Sequence, residues 1–549
     1  MKVDGRLLVG NERIETTEKI VSENPATLEP VGEACVASAP LCEEAVEAAK
    51  EAFPRWREVS PGERWEIFKR AEKILGRRAE EVGRLISMEK GSPYPESLSV
   101  EVLGALEALN YYAGNQERLL RPHAAKHHVP LFFNKTSAFH FHPLGPVLVI
   151  SPWNFPFLIP VCDVLSALTA GNTVVLRPST TTPLIALVLG EIMTDSGLPP
   201  GVLNVVVCRV PEAEAMIVDP GIQAVMFTGS VGVGKRVMEL CSRNLTKLTL
   251  ELGGKDPMIV LEDADIERAA RGAVWTAFMN CGQSCGSIER AYIARDIVGP
   301  FTARAVELAA GIKVGNPLDT GVDMGPMANP AQLKTVEEHL ADARAKGARV
   351  LFGGKRIANL PGYFIEPTVL DRVDHGMRIM TEETFGPTLP IMPFDREEDA
   401  VALANDSRYG LTASVWTRDR RRAAWFAERL EAGTVTVNDH MYSFVEPRAI
   451  WGGIKETGMG RSHGPYGLYE LVNIKYVSSD FLRKSSQTWW FPYDPGLTRI
   501  LEKTVAVYHG KGLGRRLGAA LSLRTDLRRV LRTSPVRNYI KSLPRILKG

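Results

Sequence analysis

From Gly145 onward the chain alternates short, continuous apolar runs with helical segments, and this alternation restricts the fold more than any other feature. PVLVIS precedes a helical stretch around 156–170, NTVVLRP one from about 183 to 196, VLNVVV a short one, and AVMFTG one from about 232 to 243; LTLELGG follows. Continuous apolar runs separated by helices of this length specify buried parallel strands in βαβ units. A second series begins at PMIVL and passes through AYIA, LPIMPF and TASVWT to VTVND. Upstream, residues 43–89 carry apolar residues at three- and four-residue spacing, the mark of amphipathic helices, and another helical stretch runs to about Tyr112. Residues 122–142 have no helical period, and their alternation and aromatic content suit strands. The expected fold class is α/β, with two parallel-sheet units and a small β segment.

Composition excludes classes rather than naming one. The 549 residues are 45% apolar and 24% charged, as in ordinary soluble globular proteins. No apolar run reaches the ~18 residues of a membrane-spanning helix; Asp163 interrupts the stretch that begins at Phe155. The opening MKVDGRLLVGNERIETTEK lacks an apolar segment followed by a small-residue cleavage site, so no signal peptide is expected. Seven cysteines without a C-x-x-C pair fit a reducing compartment and offer neither a disulfide framework nor a zinc site; no metal is expected. Charge is uneven: residues 481–549 hold 15 Lys+Arg against 3 Asp+Glu, whereas residues 1–480 hold 51 against 61. The body gives no reason to expect nucleic acid, and the basic tail is the segment that calls for a partner.

Chemistry concentrates where strands end. AVMFTGSVGVGK sets Gly229, Gly232 and Gly234 at a strand-to-helix turn. Glycine there lets backbone N–H groups approach a phosphate, and the helix N-terminus favours negative charge. The run matches neither the dinucleotide G-x-G-x-x-G nor the Walker A pattern, despite Lys235, and a tight turn needing small residues is the alternative. Arg177 in LRPST can reach a ribose or phosphate at a strand's C-terminal edge, or remain solvated. Asn154 in SPWNFP can direct its amide at a developing oxyanion, or satisfy its own turn. Glu251 stands in an otherwise apolar strand, where desolvation raises a carboxylate's pKa and suits a general base; a buried ion pair is the alternative. Cys285 in GQSCGSIER has small neighbours that leave room for a substrate at the sulfur. Cys281 competes for that role, and either can be a packed thiol.

SPWNFP, FTGSVGVGK, LELGGKDP, GQSCGSIER, EETFGP (382–387) and WGGIKETGMGR (451–461) occur in this order, with the thiol 34 residues after the glutamate. Together they resemble the aldehyde dehydrogenase superfamily, from NPAT (24–27) to about Val477. The resemblance implies Cys285 as nucleophile, Glu251 as general base and Asn154 as oxyanion donor. It implies an NAD or NADP site at Trp153, Arg177, Ser179, Thr180, Gly229, Ser230, Gly234, Glu383 and Phe385. Within that site Glu383 and Phe385 match the residues at the nicotinamide ribose and ring, Ser230 a pyrophosphate contact, and Trp153 the channel wall. The implied architecture is a Rossmann-like cofactor domain (1–121 and 143–253), a catalytic α/β domain (254–455) and a small β oligomerisation arm (122–142 and 456–480). Residues 481–549 remain as a basic C-terminal extension. A cytoplasmic homodimer or homotetramer acting on a small-molecule aldehyde is implied.

Three departures modify this picture. Arg177-Pro178-Ser179-Thr180 stands where the family usually has Lys-Pro-Ser/Ala-Glu. The missing glutamate normally repels a 2′-phosphate, so NADP is expected to be accepted at least as well as NAD. Arg209 follows VLNVVV, where a glycine often lies near the adenine; it either contacts phosphate or is solvated. Trp451 replaces a more common Phe and, with SIER after the thiol, is similar to a branch containing succinate-semialdehyde dehydrogenases and membrane-associated relatives. The expected reaction converts an aldehyde, a semialdehyde such as succinate semialdehyde among the candidates, to its carboxylate through a cysteine thiohemiacetal and thioester. A CoA-acylating enzyme would use the same thiol without needing Glu251. An inactive relative serving as a binding or structural protein would be expected to have lost one of the three catalytic residues. In the tail, Leu513, Leu517, Leu521, Leu527 and Leu531 share one helical stripe between arginines. That pattern suits an interfacial helix on anionic lipid, or one packed on the protein's own acidic body.

Overall fold

The computed structural model describes residues 3–127, 132, 134–481, 487, 490, 491, 493, 495–509 and 511–530. Near the N-terminus lie β1 (Leu7–Val9), β2 (Glu12–Ile14), β3 (Lys19–Glu23) and β4 (Pro30–Cys35); β5 (His123–Ala124) and β6 (Lys135–Pro143) follow after a run of helices. The first alternating series folds as β7 (Pro146–Ile150), β8 (Thr173–Arg177), β9 (Leu203–Val205), β10 (Ala224–Thr228) and β11 (Lys247–Glu251). The second folds as β12 (Asp256–Val260), β13 (Ile288–Ala294), β14 (Arg349–Phe352), β15 (Thr368–Asp371), β16 (Thr388–Phe394), β17 (Thr412–Trp416) and β18 (Thr434–Val437). β19 (Gly458–Met459) and β20 (Val472–Asp480) come last.

Eight strands form one sheet in the order β19-β11-β10-β7-β8-β9-β1-β2. Its centre, β11 to β9, is parallel, and both edges are antiparallel. Every residue of β7 is buried, as a strand covered on both faces requires. Helix Leu158–Ala170 is buried along its whole length, Asp163 included, so its sequence reads as an almost unbroken apolar run. Strand order reverses between β7 and β10: β8 and β9 extend the sheet one way, β10 and β11 the other. At such a switch point the loops after two neighbouring strands diverge and leave a crevice at the strands' C-terminal ends.

The second large sheet runs β14-β15-β16-β13-β12-β17-β18 and is parallel except for β14. Helices Ile266–Phe278, Val298–Ala310 and Pro330–Ala345 bury their apolar faces in the core that surrounds it. The loops LELGGK, GQSCGS and EETFGP lead into the N-terminal ends of β12, β13 and β16 respectively.

The chain divides into two units, Met1–Leu119 with His142–Asn473, and Leu120–Phe141 with Ile474–Gly549. The first holds both large sheets. In the second, β5 and β6 belong to the three-stranded sheet β20-β6-β5, and Lys135 Nζ pairs with Asp480 at 3.0 Å. Of the segment 456–480, β19 pairs with β11 in the first unit, and the chain from Ile474 belongs to the second. Residues 128–131 and 133 of the segment 122–142 lie outside the described residues.

The tail carries helices Pro495–His509 and Leu513–Val530. Leu513, Leu517 and Leu521 are exposed; the Leu527 side chain and Leu531 lie outside the described residues. Among the described residues no helix is long and apolar enough to cross a membrane. Two local readings differ from the sequence expectation. Pro54 lies inside helix Ala39–Trp56, in its last turn, where it removes the hydrogen bond to the Lys50 carbonyl and the helix ends two residues later. β1 and β2 extend the eight-stranded sheet although neither is long enough to show a period.

Candidate active site

The loop after β7, SPWNFP, and the turn after β10, TGSVG, both reach a cleft of about 210 Å³ that is open at its mouth. Trp153, Asn154, Gly229, Ser230, Glu251, Cys285, Glu383 and Phe385 line it. Residues from the C-terminal ends of the eight-stranded sheet thus meet residues from the N-terminal ends of β13 and β16.

Glu251 is the last residue of β11, opposite Thr228 on one side and Gly458 on the other. It is buried, and among the described residues no hydrogen bond of ordinary length and angle reaches either carboxylate oxygen, although the Ser462 hydroxyl and N–H face it more loosely. No ion pair therefore accounts for it. Burial pushes its pKa up to about 8; the Asp163 carboxylate adds to the shift, and Arg461 and the Ser462 hydroxyl and N–H oppose it. The two glycines that follow have a steric reason. A Cβ on Gly253 would collide with the Glu383 carboxylate, and one on Gly254 with the Cys285 carbonyl oxygen.

Cys285 is partly exposed, whereas the other six cysteines are buried. Its thiol is pushed well above the usual range by the surrounding protein and by the carboxylates of Asp256, Glu383 and Glu251. The sulfur therefore holds its proton until a base takes it. Cys281 is fully buried behind a kink in which Asn280 and Cys281 both have positive φ, 51° and 54°. A thiol packed in this way offers no path for a substrate.

Asn154 is held beside the thiol loop. Its Nδ2 donates to the Gln283 carbonyl at 3.3 Å, and its own carbonyl accepts from Asn280 Nδ2 at 3.0 Å. Gln283 is fixed in turn by the Asn280 carbonyl at 2.9 Å and by the Ala328 N–H at 2.8 Å. The Asn280 backbone N–H donates to Glu96 at 2.9 Å. A thiol, an unpaired carboxylate and a fixed amide in one cleft are the groups that acyl transfer through sulfur requires.

On the other side of the cleft, Ser230 caps helix Val231–Cys241, its Oγ accepting from the Val233 N–H at 3.5 Å. A Cβ on Gly232 would meet nothing within 4 Å, so this helix start opens onto free space. Gly234 does not line the cleft; a Cβ there would strike Leu252, so its small size serves helix packing. Lys235 is exposed, pairs with Glu456 at 2.7 Å and does not line the cleft. Glu383 accepts the Gly254 N–H at 3.0 Å, and burial with the nearby Glu289 pushes its pKa up to about 8. Phe385 has a φ of 50° and sets its ring edge-on to Trp153 at 5.5 Å.

Arg177, Ser179 and Thr180 lie outside the cleft. Arg177 donates to the Cys208 carbonyl at 2.8 Å, and its Nε is buried without a partner among the described residues. Ser179 Oγ accepts the Thr181 N–H at 3.2 Å, and Thr180 is exposed. Arg209 is exposed and pairs with Glu18 at 2.6 Å, so it is a solvated surface residue.

Sequence reasoning gave no role to Gln332 and Thr335, which line the cleft from helix Pro330–Ala345. It also assigned nothing to Lys255 and Glu289, a buried ion pair at 2.5 Å. Charged residues inside the apolar strands IERAYIA and KDPMIV were the available signal. Among the described residues no cluster of His, Cys, Asp or Glu could hold a metal ion.

The profile of the aldehyde dehydrogenase family matches residues 13–477. The chain belongs to the aldehyde dehydrogenase family. It is 35% identical over 485 residues to the peroxisomal aminoaldehyde dehydrogenase 1 of Pisum sativum, covering 87% of this chain and 95% of that protein. It is 36% identical over 473 residues to the mitochondrial succinate-semialdehyde dehydrogenase of Arabidopsis thaliana, covering 86% and 88%. Among solved structures, an NADP-dependent enzyme of E. coli superposes with a TM-score of 0.84 at 33% identity, covering 87% of this chain and 98% of that one. This aldehyde dehydrogenase has the expected α/β fold and oxidises an aldehyde with NAD or NADP. The family match ends before the basic segment of this aldehyde dehydrogenase begins.

Proposed function

We propose that this aldehyde dehydrogenase is hydrolytic and works through Cys285, Glu251 and Asn154. The observation that carries the reading is Glu251: a buried carboxylate with no ion-pair partner among the described residues, in the same cleft as the one partly exposed thiol. Glu251 takes the Cys285 proton, and the thiolate adds to the aldehyde carbon. The Asn154 Nδ2–H donates to the resulting oxyanion. Bound NAD(P)+ supplies the acceptor for the hydride that leaves the former aldehyde carbon. Glu251, its proton released to solvent, then accepts one from water. The hydroxyl adds to the thioester carbonyl, the C–S bond breaks, and Cys285 regains its thiolate as the carboxylate departs.

The cleft suits a dinucleotide. The helix start at Ser230, with open space at Gly232, fits a pyrophosphate, and Glu383 with Phe385 fits a ribose and an apolar ring. Arg177 with Thr180 leaves the adenosine end without a carboxylate, which supports acceptance of NADP. Residues around the eight-stranded sheet (1–121 and 143–253) form the cofactor domain, and those around the seven-stranded sheet (254–455) the catalytic domain. A semialdehyde is the substrate class favoured, by likeness to the succinate-semialdehyde dehydrogenase of Arabidopsis thaliana.

An aldehyde panel followed by NAD(P)H absorbance, with and without CoA, tests this reading. One NAD(P)H and one carboxylate per aldehyde are expected without CoA. A strict requirement for CoA would overturn it.

The exposed apolar side chains of Phe139, Ile474 and Tyr476 on the three-stranded sheet support a homodimer or homotetramer. The exposed Leu513, Leu517 and Leu521 beside arginines support peripheral attachment to anionic lipid through the tail, and seven unpaired cysteines suit the cytoplasm as the compartment. Sedimentation with anionic vesicles that salt reverses is the expected result; no sedimentation at low salt contradicts it.

A further inference from the structure

Glu289 lies on β13, four residues past Cys285, and Lys255 lies four residues past Glu251, just before β12; both are buried. Lys255 Nζ donates to Glu289 Oε2 at 2.5 Å. The same carboxylate accepts two successive backbone N–H groups, that of Thr384 at 2.7 Å and that of Phe385 at 2.9 Å. Lys255 also donates to Thr384 Oγ1 at 3.2 Å. One ion pair thus ties together the segment behind the thiol, the segment behind the base, and the loop that carries Glu383 and Phe385. Neither charged side chain lines the cleft.

Stability alone does not call for this arrangement. Two buried charges lose their hydration, and well-packed apolar residues of similar volume often do as well or better. An apolar pair cannot, however, hold two successive N–H groups. Such a pair of groups forms a nest suited to an anion, and here the anion is Glu289. The grip also matches the backbone it holds: Phe385 has a φ of 50°, which a non-glycine residue adopts only where its surroundings fix it. Gln332 Nε2 adds a second grip, on the Thr384 and Phe385 carbonyls at 2.9 and 3.2 Å.

We propose that Glu289, paired with Lys255, is a positioning residue for the cofactor. It fixes Glu383 and Phe385 relative to Cys285 without touching substrate or cofactor. The proposal rests on the reading of residues 383–385 as the nicotinamide-side loop.

Glu289→Gln tests it, because the amide keeps the side chain's shape but surrenders the charge and one acceptor. Three quantities are compared in the full-length enzyme: the NAD(P)+ dissociation constant by calorimetry, the rate of NAD(P)H formation in the first turnover, and hydrolysis of 4-nitrophenyl acetate without cofactor. The last needs only the thiol and the base. The first two are expected to worsen at least about tenfold, while ester hydrolysis stays within about twofold. An equal loss in all three would mean a merely structural role and overturn the proposal, as would unchanged cofactor binding and transfer. Should the unpaired Lys255 prevent folding, Lys255→Met/Glu289→Gln removes the charge. The same cofactor-selective loss is expected there, and wild-type binding would overturn the proposal. Glu383→Gln, measured alongside, tests the underlying reading: unchanged NAD(P)+ binding in that variant removes the loop's assignment, and the positioning role with it, whatever Glu289→Gln does.

Discussion

Replacing Glu251 by Gln removes a buried carboxylate of the cleft that has no ion-pair partner among the described residues, and the structure sets what should follow. Its pKa is pushed up to about 8 by burial and by Asp163. A base must be ionised to accept a proton, so wild-type thioester hydrolysis should gain rate as pH rises through 8, not through the ordinary carboxylate range. At pH 7 about a tenth of the group is ionised and at pH 9 about nine-tenths, so hydrolysis-limited turnover should rise roughly ninefold between them. Glu251→Gln should lose that rise and fall by about two to four orders of magnitude in steady turnover. Hydroxide can still take the Cys285 proton, more slowly than Glu251 does, so the thioester forms once and yields about one NAD(P)H per site before turnover stalls. Stopped-flow absorbance from pH 6 to 10 reads both effects. Asp163→Asn should move the wild-type inflection downward, since it removes the carboxylate that adds to the shift. A Glu251→Gln enzyme with unchanged steady turnover, or a wild-type inflection near pH 4.5, would refute the reasoning.

Cys285→Ala should abolish NAD(P)H formation, whereas Cys281→Ala should keep much of it, because Cys281 is buried behind the kink; equal loss in two folded variants would mean the register is misread. Thr180→Glu should weaken NADP+ selectively in a comparison of kcat/KM for the two cofactors. A wild-type preference for NAD+ of about a hundredfold, ~2.7 kcal/mol, would contradict the assignment of Arg177 and Thr180. Stability should fall as pH rises from about 4.5 towards 8. Glu251, Glu383 and Asp256 are pushed up to about 8, and Asp163, Glu89 and Glu96 to about 7. Each keeps, when folded, a proton that the unfolded chain has already released, so the folded state is penalised progressively across that window; calorimetric Tm against pH checks the sign.

What was legible in the sequence follows from burial. β7, β12 and β17 are buried at every residue and stand out as apolar runs. β2, β14 and β19 are short or half-exposed, and only their partners make them strands. Glu251 was visible because a lone carboxylate in an apolar strand is anomalous. Glu289 and Lys255 are equally anomalous, but their bond spans 34 residues, and no local pattern announces it. Gly234 was read as a phosphate glycine, while its nearest obstacle is Leu252 from the next strand's end. Arg209 finds Glu18 191 residues away, a partner that only the folded chain supplies.

The central claim is that Cys285 carries the acyl group and Glu251 removes it. Acid-quenching Glu251→Gln after one turnover with aldehyde and NAD(P)+, followed by peptide fragmentation in a mass spectrometer, tests this most directly. The account predicts one acyl group per site, placed on Cys285 within the peptide that also contains Cys281. An adduct on Cys281, or an unmodified peptide after a full burst of NAD(P)H, would contradict it.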